Sequence, residues 1–264
     1  MKTIAIIPAR MGSTRFPGKP LAGLCGIPMI GHVYFRTTLY KNLAGVYIAT
    51  CDNEIRDYAH SVGAKVVMTS ASHERCTDRT AEAMLEIEKE LGKVDIVVMV
   101  QGDEPFVCAE MIQKSVQPFS ENPNIQITNL MAPIQNREDF EDPNEVKVVM
   151  DRNYNALYFS REPIPSRRKG TPAVPMYKQV CIISFRRDFL IHFNELLPTP
   201  LEKIESVDML RVLEHGYRVK MIPFEGQTIS VDTQEDLKEA ELLMQEDSLL
   251  SEYTMNRIHF SGDN

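Results

Sequence analysis

Across the first hundred residues short apolar runs alternate with segments of helical spacing, and that alternation restricts the fold more than any single motif. Ile4–Ile7 reads as a buried strand, Gly45–Thr50 as a second and Lys65–Met68 as a third. Asp95–Val100 is a fourth, apolar for long enough to suit a central parallel position. Between them, 28–40 and 52–62 read as helices, with Asp52 at an N-cap position, and 77–91 carries Ala81, Met84, Leu85 and Ile87 at helical spacing. Strand–helix–strand repetition implies a mostly parallel sheet flanked by helices and joined by right-handed crossovers, an α/β fold that is Rossmann-like in broad class.

The texture changes near Ile125. Ile125–Pro133, Val146–Met150 and Ala156–Phe159 read as short strands, followed by a proline-rich loop over 162–175 that carries the basic cluster Arg167, Arg168 and Lys169. Val180–Phe185, Val219–Pro223 and Ile229–Val231 read as further strands, and Glu205–His215 as a helix. The last strong helix signal runs from Thr233 to Glu246, with Asp236 at the capping-box position. Residues 247–264 lack a clear apolar face and read as a frayed tail or a partner contact. The pattern is one domain over 1–246 with a β-rich excursion between about 125 and 225, and no internal repeat.

The loop after the first strand carries Arg10, Arg15 and Lys19, with Gly12, Ser13 and Gly18 between them. Three cations on a glycine-containing loop can wrap a polyphosphate, because arginine offers planar forks, lysine a mobile charge, and glycine lets backbone N–H groups approach closely. The same residues would also serve as a solvated basic loop. Placement at the carboxyl end of a sheet strand favours the anion site, since open α/β sheets bind ligands there.

With a net charge of −8, the chain has no broad basic face for nucleic acid, so its cations must serve local anion sites. The five cysteines show no CxxC and no metal spacing, which fits reduced thiols in the cytoplasm. No leader and no apolar run long enough for a membrane helix is expected to interrupt this soluble pattern. The six histidines form no HxH or HxxxH pair, and no GxSxG elbow, Walker lysine or GxGxxG is present.

What remains are strand-end carboxylates. Asp103 follows the apolar strand directly after Gln101-Gly102, and Asp232 follows Ile229–Val231. Hard carboxylate oxygens suit Mg²⁺, which takes one or two of them together with substrate phosphates, although aspartate also caps turns and helices. An anion loop, metal carboxylates and further cations are the inventory of phosphoryl or nucleotidyl transfer.

At this point the chain resembles the CMP-KDO synthetases, the 3-deoxy-manno-octulosonate cytidylyltransferases. The resemblance rests on the opening Pro8-Ala-Arg10 with Ser13-Thr-Arg15-Phe-Pro-Gly-Lys19, on Thr77-Asp78-Arg79, Val100-Gln-Gly-Asp-Glu-Pro105 and Ala156–Arg161, and on the segments around Leu210-Arg211 and Val231-Asp232-Thr233. It implies transfer of CMP from CTP to a 2-keto-3-deoxy sugar acid with Mg²⁺, in a cytoplasmic homodimer that contacts no nucleic acid or membrane and serves cell-surface polysaccharide synthesis. It further implies catalytic roles for Arg10, Arg15, Lys19 and Asp103, and a metal site at Asp103 and Asp232. Nucleotide contacts would come from Arg10, Gly12, Ser13, Arg15, Lys19, Thr77, Arg79 and Gln101, and sugar contacts from Gln101, Arg161, Gln179 and Arg211. The 125–225 excursion would carry sugar binding and dimerisation.

The chain departs from the family pattern at two places. Arg75-Cys76 replaces a usual Ser-Gly, and Gln179-Val-Cys181-Ile-Ile183 replaces a usual His-x-Gly-x-Tyr. The sugar acid is therefore open: KDO itself, an amino-substituted relative or another small acid. The alternatives are a nucleotidyltransferase for a different acid or a sugar phosphate, and a catalytically silent nucleotide-binding protein.

Overall fold

The structure is a computed structural model that describes residues 1–13, 15–167 and 176–258. The proposed basic cluster at Arg168 and Lys169, Thr14 of the opening motif, and the end of the tail lie outside the described residues.

The first half follows the sequence pattern closely. Strand β1 (Thr3–Pro8) leads through a 3₁₀ turn (Lys19–Leu21) and a small hairpin, β2 (Gly23–Leu24) and β3 (Ile27–Pro28), into helix α1 (Met29–Thr38). Then come β4 (Gly45–Thr50), α2 (Asn53–Ser61), β5 (Lys65–Met68), α3 (Cys76–Leu91), β6 (Ile96–Val100) and α4 (Ala109–Glu121). Strands β5, β4, β1 and β6 lie side by side and pair in parallel.

The second half holds β7 (Ile127–Pro133), α5 (Arg137–Glu141), β8 (Lys147–Met150), β9 (Ala156–Ser160) and the long β10 (Tyr177–Arg186). It continues with α6 (Arg187–Glu195), α7 (Pro200–Glu205), α8 (Met209–Glu214), β11 (Lys220–Pro223), α9 (Gln234–Gln245) and α10 (Leu249–Ile258). The β-rich excursion is not a separate layer. Strand β10 inserts antiparallel between β6 and β7, and β11 pairs in parallel with β7, so these strands extend the central sheet. Strands β8 and β9 branch from it through β10.

Strand alternation sends side chains into two apolar layers. Ile4, Ile6, Val97, Met99, Ile183 and Phe185 face α3, α6 and α8. Ala5, Ile7, Val98, Val100, Val180 and Ile182 face α1, α2 and α4. All five residues of β6 are buried, which accounts for its unbroken apolar sequence. A third, smaller cluster joins Phe16, Phe106, Val231 and Met244, and so draws together loops that are far apart in the chain.

Several expected elements are corrected. The helix read over 205–215 begins later, as α8 at Met209, because Glu205 ends the preceding α7 where Ser206 adopts φ 55°, a left-handed conformation. Ile229–Val231 pairs with no strand among the described residues; Val231 is buried in the third cluster instead. The tail continues as α10, whose Tyr253 is buried and bonded through its hydroxyl to His32 at 2.7 Å. Asp52 does stand at the N-cap of α2, but its side chain does not cap it. One carboxylate oxygen accepts from the Met11 N–H at 2.8 Å and so holds the loop after β1.

Candidate active site

Strand β1 sits between β4 and β6, so the chain leaves it toward one side in the next crossover and returns on the other. The loops after β1 and β6 therefore diverge and open a crevice at the carboxyl ends of the strands. That crevice is a cleft of about 370 Å³, and Arg10, Gly12, Ser13, Arg15 and Lys19 line it from the first loop. Gln101 and Asp103 line it from the second, and Asp232 from the segment before α9.

The loop after β1 turns back on itself through the Ser13 and Gly18 N–H groups, both donating to the Met11 carbonyl at 2.9 and 3.1 Å. Gly18 has φ 74°, which a side chain would strain, and this turn delivers Lys19 inward. The Lys19 ammonium donates to Asp103 Oδ2 at 2.6 Å and to Asp232 Oδ1 at 3.0 Å. Burial would lower the Lys19 pKa, but the two carboxylates outweigh it and raise the pKa, so the ammonium is charged at neutral pH. Arg15 reaches the same Asp232 oxygen at 3.0 Å and Asn144 Oδ1 at 2.5 Å.

The carboxylates are held by their backbones. The Val231 N–H donates to the Asp103 carbonyl at 3.0 Å. Asp236 accepts from the N–H groups of both Asp232 and Thr233 at 2.8 Å, so the capping box expected from the sequence also fixes Asp232. Gly102 allows close approach: a Cβ there would lie 3.1 Å from Ile30 Cδ1 and 3.2 Å from the Pro8 carbonyl.

The donor set fits a magnesium ion. Two carboxylates converge on the Lys19 ammonium, and the buried Asp103 Oδ1 beside it has no hydrogen-bond partner among the described residues. No group of three or more His, Cys, Asp or Glu side chains that could hold a metal occurs among the described residues. Mg²⁺ completes its shell with water and substrate phosphates, so two carboxylates suffice.

The opposite wall comes from β10 and the loops beside it. The Gln101 N–H donates to the Cys181 carbonyl at 3.1 Å, and the Cys181 N–H donates to Glu104 Oε1 at 3.0 Å. Burial and then the neighbouring Asp103 carboxylate push the Glu104 carboxyl up to about 8. Gln179 lines the cleft while its amide donates to Asn129 at 2.6 Å. Arg161 also lines it, anchored to the Glu205 and Pro143 carbonyls at 2.7 and 2.8 Å.

Three residues expected to touch ligand do not line the cleft. Thr77 donates to Asp208 at 2.9 Å. Arg79 is buried and bonds Thr69 and the Cys51 sulfur. Arg211 forms a buried pair with Glu202 at 2.6 Å. Each has its polar group engaged by the protein, so Thr77 supports the cleft only through Asp208, which lines it. Sequence reading also missed cleft residues: Glu104, Asn144, Glu145, Asp208 and Met209. Glu104 stands next to Asp103 in the strand-end motif and was open to discovery there.

The cytidylyltransferase family model matches residues 4–222. The 3-deoxy-manno-octulosonate cytidylyltransferase of Geobacter metallireducens is 43% identical over 247 residues, covering 90% of this chain and 95% of that protein. This chain belongs to the cytidylyltransferase family. The protein of the same name from Acaryochloris marina is 42% identical over 247 residues, covering 93% of this chain and 98% of that one. Among solved structures, a CMP:2-keto-3-deoxy-manno-octonic acid synthetase complexed with CTP superimposes with a TM-score of 0.85 at 35% identity, covering 93% of this chain and 99% of that chain. In this cytidylyltransferase no helix among the described residues is long and apolar enough to cross a membrane.

Proposed function

We propose that this protein transfers CMP from CTP to a 2-keto-3-deoxy sugar acid, KDO or a close relative, releasing pyrophosphate. The observation that carries the reading is Lys19 set between Asp103 and Asp232 beneath a loop bearing Arg10 and Arg15. The names of the related proteins support the nucleotide and the acid.

In the reaction the anomeric hydroxyl oxygen of the acid bonds to the α-phosphorus. The bond from that phosphorus to the bridging oxygen breaks, pyrophosphate leaves with the electron pair, and the hydroxyl proton passes to solvent. Arg10, Arg15 and Lys19 hold the triphosphate and offset charge on the leaving group. Asp103 and Asp232 would hold Mg²⁺, which supplies Lewis acidity and helps ionise the hydroxyl. Arg161 is suited to the acid's carboxylate, and Gln101 and Gln179 to its hydroxyls. Catalysis here is chiefly positioning and charge neutralisation, and no protein base is required.

A cytoplasmic homodimer serving cell-surface polysaccharide synthesis accompanies this reading, and sedimentation of the purified protein tests the dimer. The activity is tested by pyrophosphate release with CTP, Mg²⁺ and sugar acids, with and without chelator. Release that needs both the acid and the metal is expected. Release indifferent to chelator removes the metal from the proposal, and no release with any sugar acid overturns the reading.

A further inference from the structure

The tail expected to fray is fastened to helix α1, and the fastening bears on Lys19, Asp103 and Asp232 alike. His32 and Arg36 stand four residues apart on α1 and so share one face of it. Both are buried, as is Tyr253 of α10. One His32 ring nitrogen donates to the Leu24 carbonyl at 2.7 Å, and the other meets the Tyr253 hydroxyl at 2.7 Å. Leu24 lies in β2, just after the turn that carries Lys19.

Arg36 reaches the two carboxylates' supports. Its Nε donates to the Val107 carbonyl at 2.8 Å and its Nη2 to the Phe106 carbonyl at 3.5 Å, with the guanidinium over the Phe106 ring. Those carbonyls continue the turn that holds Asp103, where the Glu104 N–H donates to the Gln101 carbonyl and the Val107 N–H to the Glu104 carbonyl. On its other branch, Arg36 Nη1 donates to Asp247 Oδ2 at 2.8 Å, while Asp247 Oδ1 accepts from the Leu249 N–H at the start of α10. Asp247 follows the last turn of α9, and the first turn of α9 holds the Asp232 N–H through Asp236. One guanidinium thus joins the Asp103 turn to the helix that fixes Asp232. An ammonium, a single charge on a flexible stem, cannot reproduce that planar fork.

We propose that Arg36, held by Asp247, is a positioning residue for cytidylyl transfer: it fixes the Asp103 turn against α9 and so sets how Asp103 and Asp232 meet about Lys19. The inference rests on the cytidylyl-transfer reading above, in which those carboxylates hold the metal, and it gives the α9–α10 corner a part in the site. A shift of about 1 Å in reacting groups can cost about a hundredfold in rate even when the change lies far from the chemistry.

The test compares the native protein with Asp247→Asn, which keeps the shape and removes the charge, and Arg36→Lys, which keeps the charge and gives up the fork. Two quantities are measured well below each melting temperature. One is the affinity for Mn²⁺–CTP with no acid present, read by electron paramagnetic resonance; the other is kcat and KM for pyrophosphate release with the acid the native protein turns over best. Both variants are expected to bind Mn²⁺–CTP about tenfold more weakly and to lose about tenfold to a hundredfold in kcat, with the KM for the acid nearly unchanged. Native affinity and kcat in folded Asp247→Asn, with only the melting temperature lowered, overturn the inference. Native kcat in folded Arg36→Lys also overturns it, by showing that a buried charge suffices. Should Arg36→Lys fail to fold, Asp247→Asn decides alone; loss of folding in both assigns the pair to stability and overturns the positioning role. Absence of release by the native protein with every acid overturns the transfer reading, while the Mn²⁺–CTP affinities still decide whether Arg36 positions the carboxylates.

Discussion

The two walls of the cleft are built by opposite means. On the phosphate side, Arg15 and Lys19 face Asp103 and Asp232 directly. On the β10 side, Gln179, Asp208 and Glu145 each hold a partner within the protein, and Arg161, Cys181 and Ile183 line the cleft beside them. The difference separates chemistry from selectivity. Charges poised against one another can be handed over to a nucleotide. A surface of packed side chains discriminates by shape and by the cost of unmatched polar groups.

The largest effect that would break this comparison is on the phosphate side. Asp103→Asn keeps the shape and removes the charge, and should lower kcat by about 10³-fold or more with the melting temperature preserved, since electrostatic stabilisation is the main term. Near-normal turnover in the folded variant would remove Asp103 from the metal site. Arg15→Ala should raise the KM for CTP by about tenfold, in keeping with one lost charged hydrogen bond, and leave that of the acid nearly unchanged. Equal loss on both substrates would mean that the walls do not divide the work.

Gly102→Ala tests the seam between the loops. Its Cβ would press on Ile30 and the Pro8 carbonyl, and overpacking of this kind costs about 1–3 kcal/mol, visible as a fall of several degrees in melting temperature. An unchanged melting temperature would show that the two loops are not held in close contact.

The smallest effect lies behind the acceptor wall, in the Glu202–Arg211 pair. Burial would raise the Glu202 carboxyl, but the hydrogen bonds from Arg211 and Thr199 outweigh it and hold the pKa below its ordinary 4.5. A depressed carboxyl contributes stability that is complete above 4.5 and is lost as the pH falls through the folded value. Melting temperatures should therefore fall on acidification below about pH 4.5 more steeply in the native protein than in Glu202→Gln. Parallel pH profiles would show that the pair does not titrate with folding.

The structure also shows why some of the expected site residues line the cleft and others do not. Arg10 and Asp103 lie within three residues of a strand end, and Arg15 and Lys19 follow on the same loop after β1, so local pattern and local chemistry coincide. Asp232 was found for a partly mistaken reason: it follows no strand, and its place comes from the Asp236 cap and the packing of Val231. Helix α4 was overlooked; it contains Pro118. Helix α6 was overlooked because β10 runs into it without a loop, leaving no punctuation to read. Thr77, Arg79 and Arg211 had the right chemistry for a ligand, but only the folded chain shows that their polar groups are already committed.

By itself the sequence determined the alternating α/β order, the cation loop after the first strand and the carboxylate at the end of the fourth major strand. Each is written within one hydrophobic period or one turn. Tertiary structure alone decided that Lys19 spans carboxylates 84 and 213 residues away, and that β10 enters antiparallel to line the cleft. The reason is physical. Strand and helix follow from neighbours along the chain, whereas a site follows from which loops a shared apolar cluster draws together, as Phe16, Phe106 and Val231 do here.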